Sequence, residues 1–291
     1  MPDDPTGNGT SGSLLSIWRH PVKSMMGEEL SVCEVTEAGL SGDRAYALID
    51  KSDGKVVSAK NPRKWALMFE FRAAYSRSAR PDGTLPAVHI TAPDGSKISS
   101  DDEESHAMLS KVLGREVRLN RRERGQEGIV ETAVPSRWTP KLEEYWPDDV
   151  EGLAHSGTVT DEAMPAETFF DVAPVHVLTT ATLDCLQQAY PLGKFDVRRF
   201  RPNFLVKLTD NRIGFVENDW IGKRIQIGSE VQLKITGPCP RCVMTTLPQR
   251  DLPKDTGILR AAAEHNGANI GIYASVERIG RVRKGDLVRV L

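Results

Sequence analysis

The sequence predicts a mainly β (α+β) protein with two barrel-like domains and a few short helices. Short runs rich in β-branched and aromatic residues recur along the chain, and Gly, Pro, Asn or Asp bounds most of them. Helical periodicity is confined to a few brief segments. The chain has 291 residues, which exceeds one average domain, so two domains are expected.

In the first half of the chain, strands alternate with turns. Strands are predicted over residues 14–19, 29–35, 45–50, 56–59, 69–75 and 87–91. Asp53-Gly54 predicts a hairpin turn between the third and fourth of these strands. The acidic run 101–104 predicts the first turn of a helix, where carboxylates meet the positive end of the helix dipole.

The composition of the sequence changes before the second half of the chain. Residues 121–165 are polar and irregular, which indicates a linker or a lid. A strand over 175–178 is expected to enter a helix capped by a hydroxyl residue, and a second helix over 259–265 to end at Asn266-Gly267. Further strands are predicted over 204–208, 224–227, 231–235, 270–276 and 287–290. The expected organisation is a disordered tail (1–12), a first barrel-like domain (13–120), the linker or lid (121–165) and a second barrel (166–291).

Net charge, cysteine count and the lack of long apolar runs argue against several classes of protein. The formal net charge of −2 provides no basic field for nucleic acid or for an anionic membrane. Four cysteines do not make a disulfide framework at this length, which favours a reducing compartment. No run of about 18 apolar residues occurs, and the polar start of the chain has no signal-peptide core. We therefore expect a soluble, cytoplasmic protein, and a monomer is favoured.

Cys242 is the residue that indicates chemistry most clearly. It closes the run Pro238-Cys239-Pro240-Arg241-Cys242, in which two prolines restrict the backbone. Arg241 is expected to favour a thiolate, the form that attacks or that binds a soft metal. Half of a zinc site, a dithiol redox pair and plain packing are the alternatives for this Cys-x-x-Cys spacing.

Isolated cations are the second signal. Lys23, Arg44, Arg201 and Arg241 each lie near Pro or Gly, at predicted turns or strand ends. Such spread-out, charge-assisted donors suit a large polar anion. No Gly-x-Gly-x-x-Gly, Walker-type, His-Glu-x-x-His or Gly-x-Ser-x-Gly motif is present to indicate another chemistry.

Several of these motifs resemble one known family. Pro240-Arg241-Cys242-Val243-Met244-Thr245-Thr246 resembles the signature loop of MOSC-domain proteins. His20-Pro21-Val22-Lys23-Ser24-Met25 and Gly42-Asp43-Arg44 resemble the N-terminal β-barrel that accompanies MOSC in the mitochondrial amidoxime-reducing component and its bacterial relatives. Phe200-Arg201-Pro202-Asn203 and the closing Val282-Arg283-Lys284-Gly285-Asp286 match in the same order.

The resemblance implies a molybdenum pyranopterin cofactor. It makes Cys242 the thiolate ligand of the metal and the catalytic residue. Residues on cofactor-binding motif positions are Lys23, Ser24, Arg44, Arg201, Asn203, Arg241 and Tyr273, with Thr179 or Thr180 on a hydroxyl position.

The implied activity is that of an oxidoreductase that removes oxygen from a small N-hydroxylated or N-oxygenated substrate. No flavin fingerprint or iron–sulfur cysteine spacing is present, so the electrons are expected from a separate donor protein, either a flavin reductase or an iron–sulfur or haem carrier. Two alternatives stay open: a cysteine-based sulfur carrier or sulfurtransferase, and a non-catalytic carrier of the cofactor. Pyridoxal phosphate is not expected, because no lysine lies in a context typical of an internal aldimine.

Overall fold

The computed structural model describes residues 11–77, 84–121, 168–210 and 212–291. These ranges are mainly strand, and the helices among them are short, so the predicted fold class is confirmed. The strands are β1 (Ser11–Arg19), β2 (Glu28–Leu30), β3 (Val32–Thr36), β4 (Gly39–Leu40), β5 (Tyr46–Asp50), β6 (Arg72–Tyr75), β7 (Val88–Thr91), β8 (Lys97–Ser99), β9 (Val117–Arg121), β10 (Val175–Thr179), β11 (Phe204–Leu208), β12 (Arg224–Ile227), β13 (Val231–Pro240), β14 (Asn269–Arg278), β15 (Gly280–Arg283) and β16 (Leu287–Val290). The α-helices are α1 (Ser105–Leu113), α2 (Thr180–Ala189), α3 (Val197–Phe200) and α4 (Gly257–Asn266).

Seven strands close into a barrel. Their order is β11-β10-β14-β13-β12-β16-β1, and antiparallel pairing of β1 with β11 completes the ring. Strand β1 begins at Ser11, slightly before the domain start expected at residue 13. The first strand of the chain therefore belongs to a barrel whose other strands all follow residue 174.

Alternation along the strands fills this barrel. Val231, Leu233 and Ile235 of β13 are buried, while the residues between them are partly exposed. This period of two is what a strand with one face on the core requires. The cluster they join also holds Leu14 and Ile17 from β1, so the N-terminal strand supplies core as well as pairing.

The N-terminal half also forms smaller sheets. The pair β5–β9 and the sheet β6-β7-β8 surround a second core, whereas the sheet β15-β3-β4 adds its buried residues to the barrel core. The second core contains Met25, Leu48, Trp65 and Phe71, and it also takes in Val243 from the other half of the chain. The segment that carries Cys242 is thus packed against the N-terminal core.

Several predicted strands differ in detail. The strand expected over 29–35 is interrupted at Ser31, because β2 pairs with β1 while β3 pairs with β15. The segment 56–59 makes only one bridge, Ile49 with Val56, and then turns away. At Phe69 the chain forms a 3-10 turn (Met68–Glu70), so the strand starts at Arg72.

The acidic run lies before its helix. Helix α1 begins at Ser105, so residues 101–104 do not form its first turn as expected. Asp102 instead accepts a hydrogen bond from the backbone N–H of Ser99, which closes the preceding turn. Side-chain capping of that turn competes with helix formation.

Helices α2 and α4 confirm their predictions. Thr179 is the N-cap of α2, and its hydroxyl accepts a hydrogen bond from the N–H of Thr182 at 3.2 Å. Gly267 ends α4 in the left-handed region at φ 54°.

The expected linker or lid falls, apart from Arg121, outside the described residues, and so do residues 1–10 of the expected tail. In the part of the chain that is described, no helix has the length and apolar character needed to cross a membrane.

Candidate functional site

The signature loop, residues 240–246, presents Cys242 at the end of a strand. Strand β13 ends at Pro240, and Cys242 is the extended residue before a 3-10 turn, Val243–Thr246. Its carbonyl accepts from the N–H of Thr245 at 3.1 Å and from the Thr245 hydroxyl at 3.0 Å. Val243 is buried in the N-terminal core. The backbone around the thiol is therefore fixed, while the residue itself is only partly buried.

Arg241 is hydrogen-bonded to the other cysteine of the pair. Its Nη1 donates to Cys239 Sγ at 2.8 Å, and its Nη2 donates to the carbonyl of Phe200 at 2.9 Å. Burial disfavours the charged guanidinium, but attraction to Cys239, Tyr273 and Cys242 raises the pKa of Arg241 above its ordinary value. Cys242 thus lies in the field of this cation, while the hydrogen bond of Arg241 goes to Cys239.

Tyr273 completes this sulfur end of the site, which we define as Cys239, Arg241, Cys242 and Tyr273. Tyr273 lies on β14, and its side chain is hydrogen-bonded with Cys239. Burial raises the pKa of the Tyr273 phenol, and Cys239 raises it further. Its ring also meets His176 edge-on, with ring centres 6.0 Å apart.

Asp43 connects the next group of predicted residues. Its carboxylate accepts from the backbone N–H of His20 at 2.5 Å, from Arg44 at 2.6 Å and from Asn203 Nδ2 at 2.8 Å. Asn203 Oδ1 in turn accepts from the N–H of His176 at 3.0 Å. A single buried carboxylate therefore fixes Arg44 and Asn203, which are far apart in sequence.

Arg201 lies between the two groups. It ends helix α3 in the left-handed region at φ 52°, and its Nη1 donates to the carbonyl of Met25 at 2.7 Å. Burial, followed by repulsion from Arg44, lowers the pKa of Arg201 well below its ordinary value. Arg241 also repels it, so several guanidinium groups converge on one region.

Lys23 and Ser24 lie at the N-terminal side of this region. Lys23 Nζ donates to the carbonyl of Phe169 at 2.8 Å and pairs with Asp171 at 2.5 Å. The hydroxyl of Ser24 accepts from the N–H of Ala59 at 3.0 Å. That bond holds the segment that carries Lys60, whose ammonium pairs with the second oxygen of Asp171 at 3.1 Å. We call Lys23, Arg44, Lys60 and Arg201, with Asp43 and Asp171, the cation cluster.

Two buried histidines, His20 and His176, lie close to the arginines of the site. Burial, then repulsion from Arg201 and Arg44, lowers the pKa of His20 well below its ordinary value. Burial, then repulsion from Arg241, lowers the pKa of His176 to about 3. Both rings are therefore neutral at physiological pH, and they add no charge to the cluster.

Thr179 and Thr180 have a different neighbour. The Thr179 hydroxyl donates to Glu217 Oε2 at 2.6 Å, and the Thr182 hydroxyl donates to the other oxygen at 2.8 Å. Thr180 is the first residue of α2. A buried carboxylate of the protein therefore lies at this helix N-terminus, and burial raises the pKa of Glu217 above its ordinary value.

Backbone strain is concentrated among the predicted residues. In the described ranges, non-glycine residues with positive φ are Ser24, Arg44, Arg201, Arg250 and Ala268. The first three are predicted cofactor-binding residues. Left-handed backbone is unfavourable for L-residues, and where it clusters it marks functional sites more often than framework.

The donor set fits a large anionic group next to a soft ligand atom. Arg201 Nη2 and Arg241 Nε are buried donors without a partner among the described residues. Burying such donors is costly unless a ligand accepts from them. Asp171 pairs with Lys23 and Lys60, Asp43 pairs with Arg44, and both carboxylates attract Arg201. A phosphate-bearing cofactor would accept from these donors, and Cys242 offers one thiolate ligand.

Sequence reasoning missed five residues of this region: His20, Asp43, Lys60, Asp171 and His176. His20 and Asp43 stand inside the motifs that carry the family resemblance, so their position was a usable signal. Lys60 and Asp171 gave no sequence signal, because each becomes informative only through the ion pairs that the fold creates. Among the described residues, no group of three or more His, Cys, Asp or Glu side chains could hold a metal ion.

Two protein-family models match this chain. The family model of the MOSC N-terminal β-barrel domain matches residues 11–128, and that of the MOSC domain matches residues 165–289. The chain is 27% identical over 306 residues to the human mitochondrial amidoxime reducing component 2, covering 95% of this chain and 83% of that protein. It is 24% identical over 312 residues to the rat protein of the same name, covering 95% and 82%.

Among solved structures, the YUAD protein from Bacillus subtilis aligns over 97% of each chain with a TM-score of 0.45 and 13% identity. The family matches together span most of the sequence, from β1 to β16. This chain belongs to the MOSC-domain proteins that also carry the MOSC N-terminal β-barrel domain.

Proposed function

We propose that the protein is a molybdenum-cofactor-dependent oxidoreductase that removes oxygen from a small N-hydroxylated or N-oxygenated compound. The relatives named above are amidoxime reducing components, which supports an N-reductive role. The observation that carries the proposal is the placement of a partly exposed thiol, Cys242, beside buried cations that include unpartnered donors. A sulfur ligand and an anion cradle at one place are what a metal-bearing phosphorylated cofactor needs.

Each residue has a role in this proposal. Cys242 would ligate molybdenum, while Arg201 and Arg241 would donate to the polar edges of the pterin. Lys23 and Arg44 would bind its phosphate. The cofactor supplies the two-electron redox chemistry that oxygen removal needs, and the protein binds, orients and shields it.

Asn203 and Ser24 have supporting roles. Asn203 bridges Asp43 and the backbone of His176, so it would fix the position of the carboxylate that orients Arg44. The hydroxyl of Ser24 holds the backbone at Ala59 and thereby positions the segment that carries Lys60 close to Lys23. Tyr273 would hold Cys239 in place through their hydrogen bond. Because Cys239 accepts a hydrogen bond from Arg241, this would also orient Arg241 toward the pterin.

The proposed reaction needs electrons and protons, but no second cofactor bound to this chain. Reduction of an N–OH group to N–H with release of water consumes two electrons and two protons. The electrons are proposed to come from a separate donor protein. The neutral state of His20 and His176 removes two positive charges that would otherwise repel an N-hydroxylated base bearing a positive charge.

The segment 247–257 is proposed to shape the substrate entrance. It follows the signature loop directly and is held by Arg199, whose guanidinium donates to the carbonyls of Leu247 and Pro253. We therefore expect its residues to influence which N-oxygenated compounds are accepted.

Metal analysis of the full chain tests the proposal. The protein is produced in a host that makes the molybdenum cofactor, and molybdenum is measured per chain for wild type and Cys242→Ser. Reduction of an amidoxime is then followed with a chemically reduced viologen dye as electron source. We expect near-stoichiometric molybdenum and amidoxime reduction in the wild type, and a loss of at least about 100-fold in turnover in the variant.

Other outcomes assign other functions. Wild-type protein without molybdenum, but with sulfane sulfur on Cys242 in the mass spectrum, would identify a sulfur carrier. Stoichiometric molybdenum without reduction of any hydroxylamine-type compound would identify a carrier of the cofactor. Either result would overturn the proposed activity.

A further inference from the structure

Two lysines of the cation cluster meet on one carboxylate. Asp171 Oδ1 lies 2.5 Å from Lys23 Nζ, and Oδ2 lies 3.1 Å from Lys60 Nζ. The Lys23 and Lys60 side chains are 12% and 9% exposed, whereas that of Asp171 is 39% exposed. Two nearly buried ammonium groups therefore point toward a carboxylate on the solvent side.

The segment that carries Asp171 is attached to the cluster at several points. The N–H of Phe169 donates to the carbonyl of Arg44 at 2.9 Å, and the carbonyl of Phe169 accepts from Lys23. The ring of Phe170 lies under the Arg44 guanidinium at 6.0 Å. Asp171 is thereby directed at the lysines by backbone contacts that do not depend on its own charge.

The lysine loop is positioned equally firmly. The Ser24 hydroxyl accepts from the N–H of Ala59, directly before Lys60, and Ser24 itself directly follows Lys23. The left-handed backbone of Ser24, at φ 64°, turns the chain so that the two lysines share one region. Packing alone would not put two ammonium groups together, because like charges repel.

The charges of Lys23, Lys60 and Asp171 act strongly on one another. Burial lowers the pKa of Lys23, with attraction to Asp171 opposing it and repulsion from Lys60 adding to it. Burial would raise the pKa of Asp171, but attraction to Lys23 and Lys60 lowers it below its ordinary value. Asp171 is thus paired with both ammonium groups, Arg44 lies close by, and Arg201 Nη2 is a buried donor without a partner among the described residues.

We propose that Lys60 acts with Lys23 and Arg44 as the binding site for a phosphate dianion, and that Asp171 is the internal counter-ion which this phosphate displaces from the two ammonium groups. The inference rests on the proposed function, in which the phosphate belongs to the pterin cofactor. A dianion with several acceptor oxygens satisfies two ammonium groups and a guanidinium better than one carboxylate does. The exposed side of Asp171 gives the anion its approach, and no covalent change is involved.

Titration with inorganic phosphate tests the site without molybdenum. Full-length protein from a host that lacks the cofactor is titrated calorimetrically, and the dissociation constant is compared among wild type, Asp171→Asn and Lys60→Met. We expect about tenfold tighter binding for Asp171→Asn, because the competing charge is gone, and at least about tenfold weaker binding for Lys60→Met. Urea unfolding of each variant checks that it is folded.

Lys64→Met is the matched control. Lys64 lies on the same loop, but it pairs with Asp50 at 2.5 Å and Asp53 at 3.2 Å, away from the cluster. Its substitution should leave phosphate affinity within about twofold of wild type. Weaker phosphate binding in folded Asp171→Asn, or equal losses in the Lys60 and Lys64 variants, would overturn the proposal.

The result is separable from the proposed function. Phosphate affinities that follow this order in a protein that never binds molybdenum would sustain the anion site and overturn the activity. Equal molybdenum content and equal amidoxime reduction in wild type and Lys60→Met, together with unchanged phosphate affinity, would sustain the activity and overturn the role of Lys60.

Discussion

The two ends of the candidate site are held by different kinds of contact. At the sulfur end, the backbone fixes the geometry: Arg241 bonds to a carbonyl of α3, and the carbonyl of Cys242 accepts from the following turn. In the cation cluster, side chains hold each other through ion pairs centred on Asp43 and Asp171. The sulfur end is therefore held mainly by backbone contacts, whereas the cation cluster combines backbone contacts with ion pairs.

This difference indicates how each end responds to change. A backbone-held loop keeps its geometry over a range of salt concentration and pH, because few of its contacts depend on charge. Within the cation cluster, the ion pairs of Asp171 reach solvent, so they are screened by salt and can be rearranged by an anion that enters. The metal ligand is thus placed rigidly, and the anion-binding side is left adjustable.

Substitution of Arg199 should have the largest effect, because it breaks the support of the rigid end. Its side chain is fully buried and donates to the carbonyls of Lys194, Thr245, Leu247 and Pro253. Arg199→Met leaves these acceptors unsatisfied, so we expect a loss of about 3 to 5 kcal/mol in the free energy of unfolding, measured by urea denaturation.

The adjacent arginine is the control for this prediction. Arg198 pairs with the carboxylates of Asp196 and Asp251 at the surface. Because exposed ion pairs are screened, Arg198→Met should cost about 1 kcal/mol or less. Equal losses in the two variants would mean that backbone support at the signature loop is not what stabilises this end.

The two cysteines should separate structure from metal binding. Cys239 is fully buried and accepts from Arg241, so Cys239→Ala leaves a buried guanidinium donor unpaired and should cost about 2 kcal/mol of unfolding free energy. Cys242→Ala removes a partly exposed thiol and should change stability by about 0.5 kcal/mol or less. Molybdenum content should show the opposite order, with the larger loss in Cys242→Ala; the reverse order would place the metal at Cys239.

Acid should destabilise the protein through its buried histidines. The pKa of His176 is about 3 in the folded protein and about 6.5 when unfolded, so between these values the unfolded chain binds the extra proton. The contribution of His176 to stability is therefore present above about pH 6.5 and is lost as the pH falls, by about 2 kcal/mol at pH 5. His20 acts in the same direction, and Glu217, whose pKa is raised, acts in the opposite one.

His176→Gln tests this assignment. Glutamine can donate to the carbonyl of Ile270, which His176 Nε2 contacts at 3.0 Å, but it does not titrate. Unfolding free energies at pH 7.5 and pH 5 should differ by about 2 kcal/mol less in the variant than in the wild type. An unchanged difference would mean that His176 is protonated in the folded protein.

The sequence predicted the fold class, most strand positions and both longer C-terminal helices, because these depend on local periodicity and capping. It could not place β1 in a barrel made from residues beyond 174, since strand pairing over that distance leaves no local pattern. The ten predicted site residues show the same limit, because local motifs do not reveal which buried carboxylate each residue contacts. Arg44, Arg201 and Asn203 are brought together around Asp43, whereas Thr179 lies against Glu217, a carboxylate that no local motif indicates.

The smallest predicted effect concerns the strained backbone at Ser24, next to Lys23 in the cation cluster. Ser24 has φ 64°, and glycine adopts this conformation at no steric cost, whereas alanine does not. Both Ser24→Gly and Ser24→Ala lose the hydrogen bond with Ala59, so their difference isolates the strain. We expect the glycine variant to be more stable than the alanine variant by up to about 1 kcal/mol, although glycine usually lowers stability relative to alanine. Urea unfolding of the two variants measures this difference, and an alanine variant that is the more stable would show that the turn between Lys23 and the segment carrying Lys60 is unstrained.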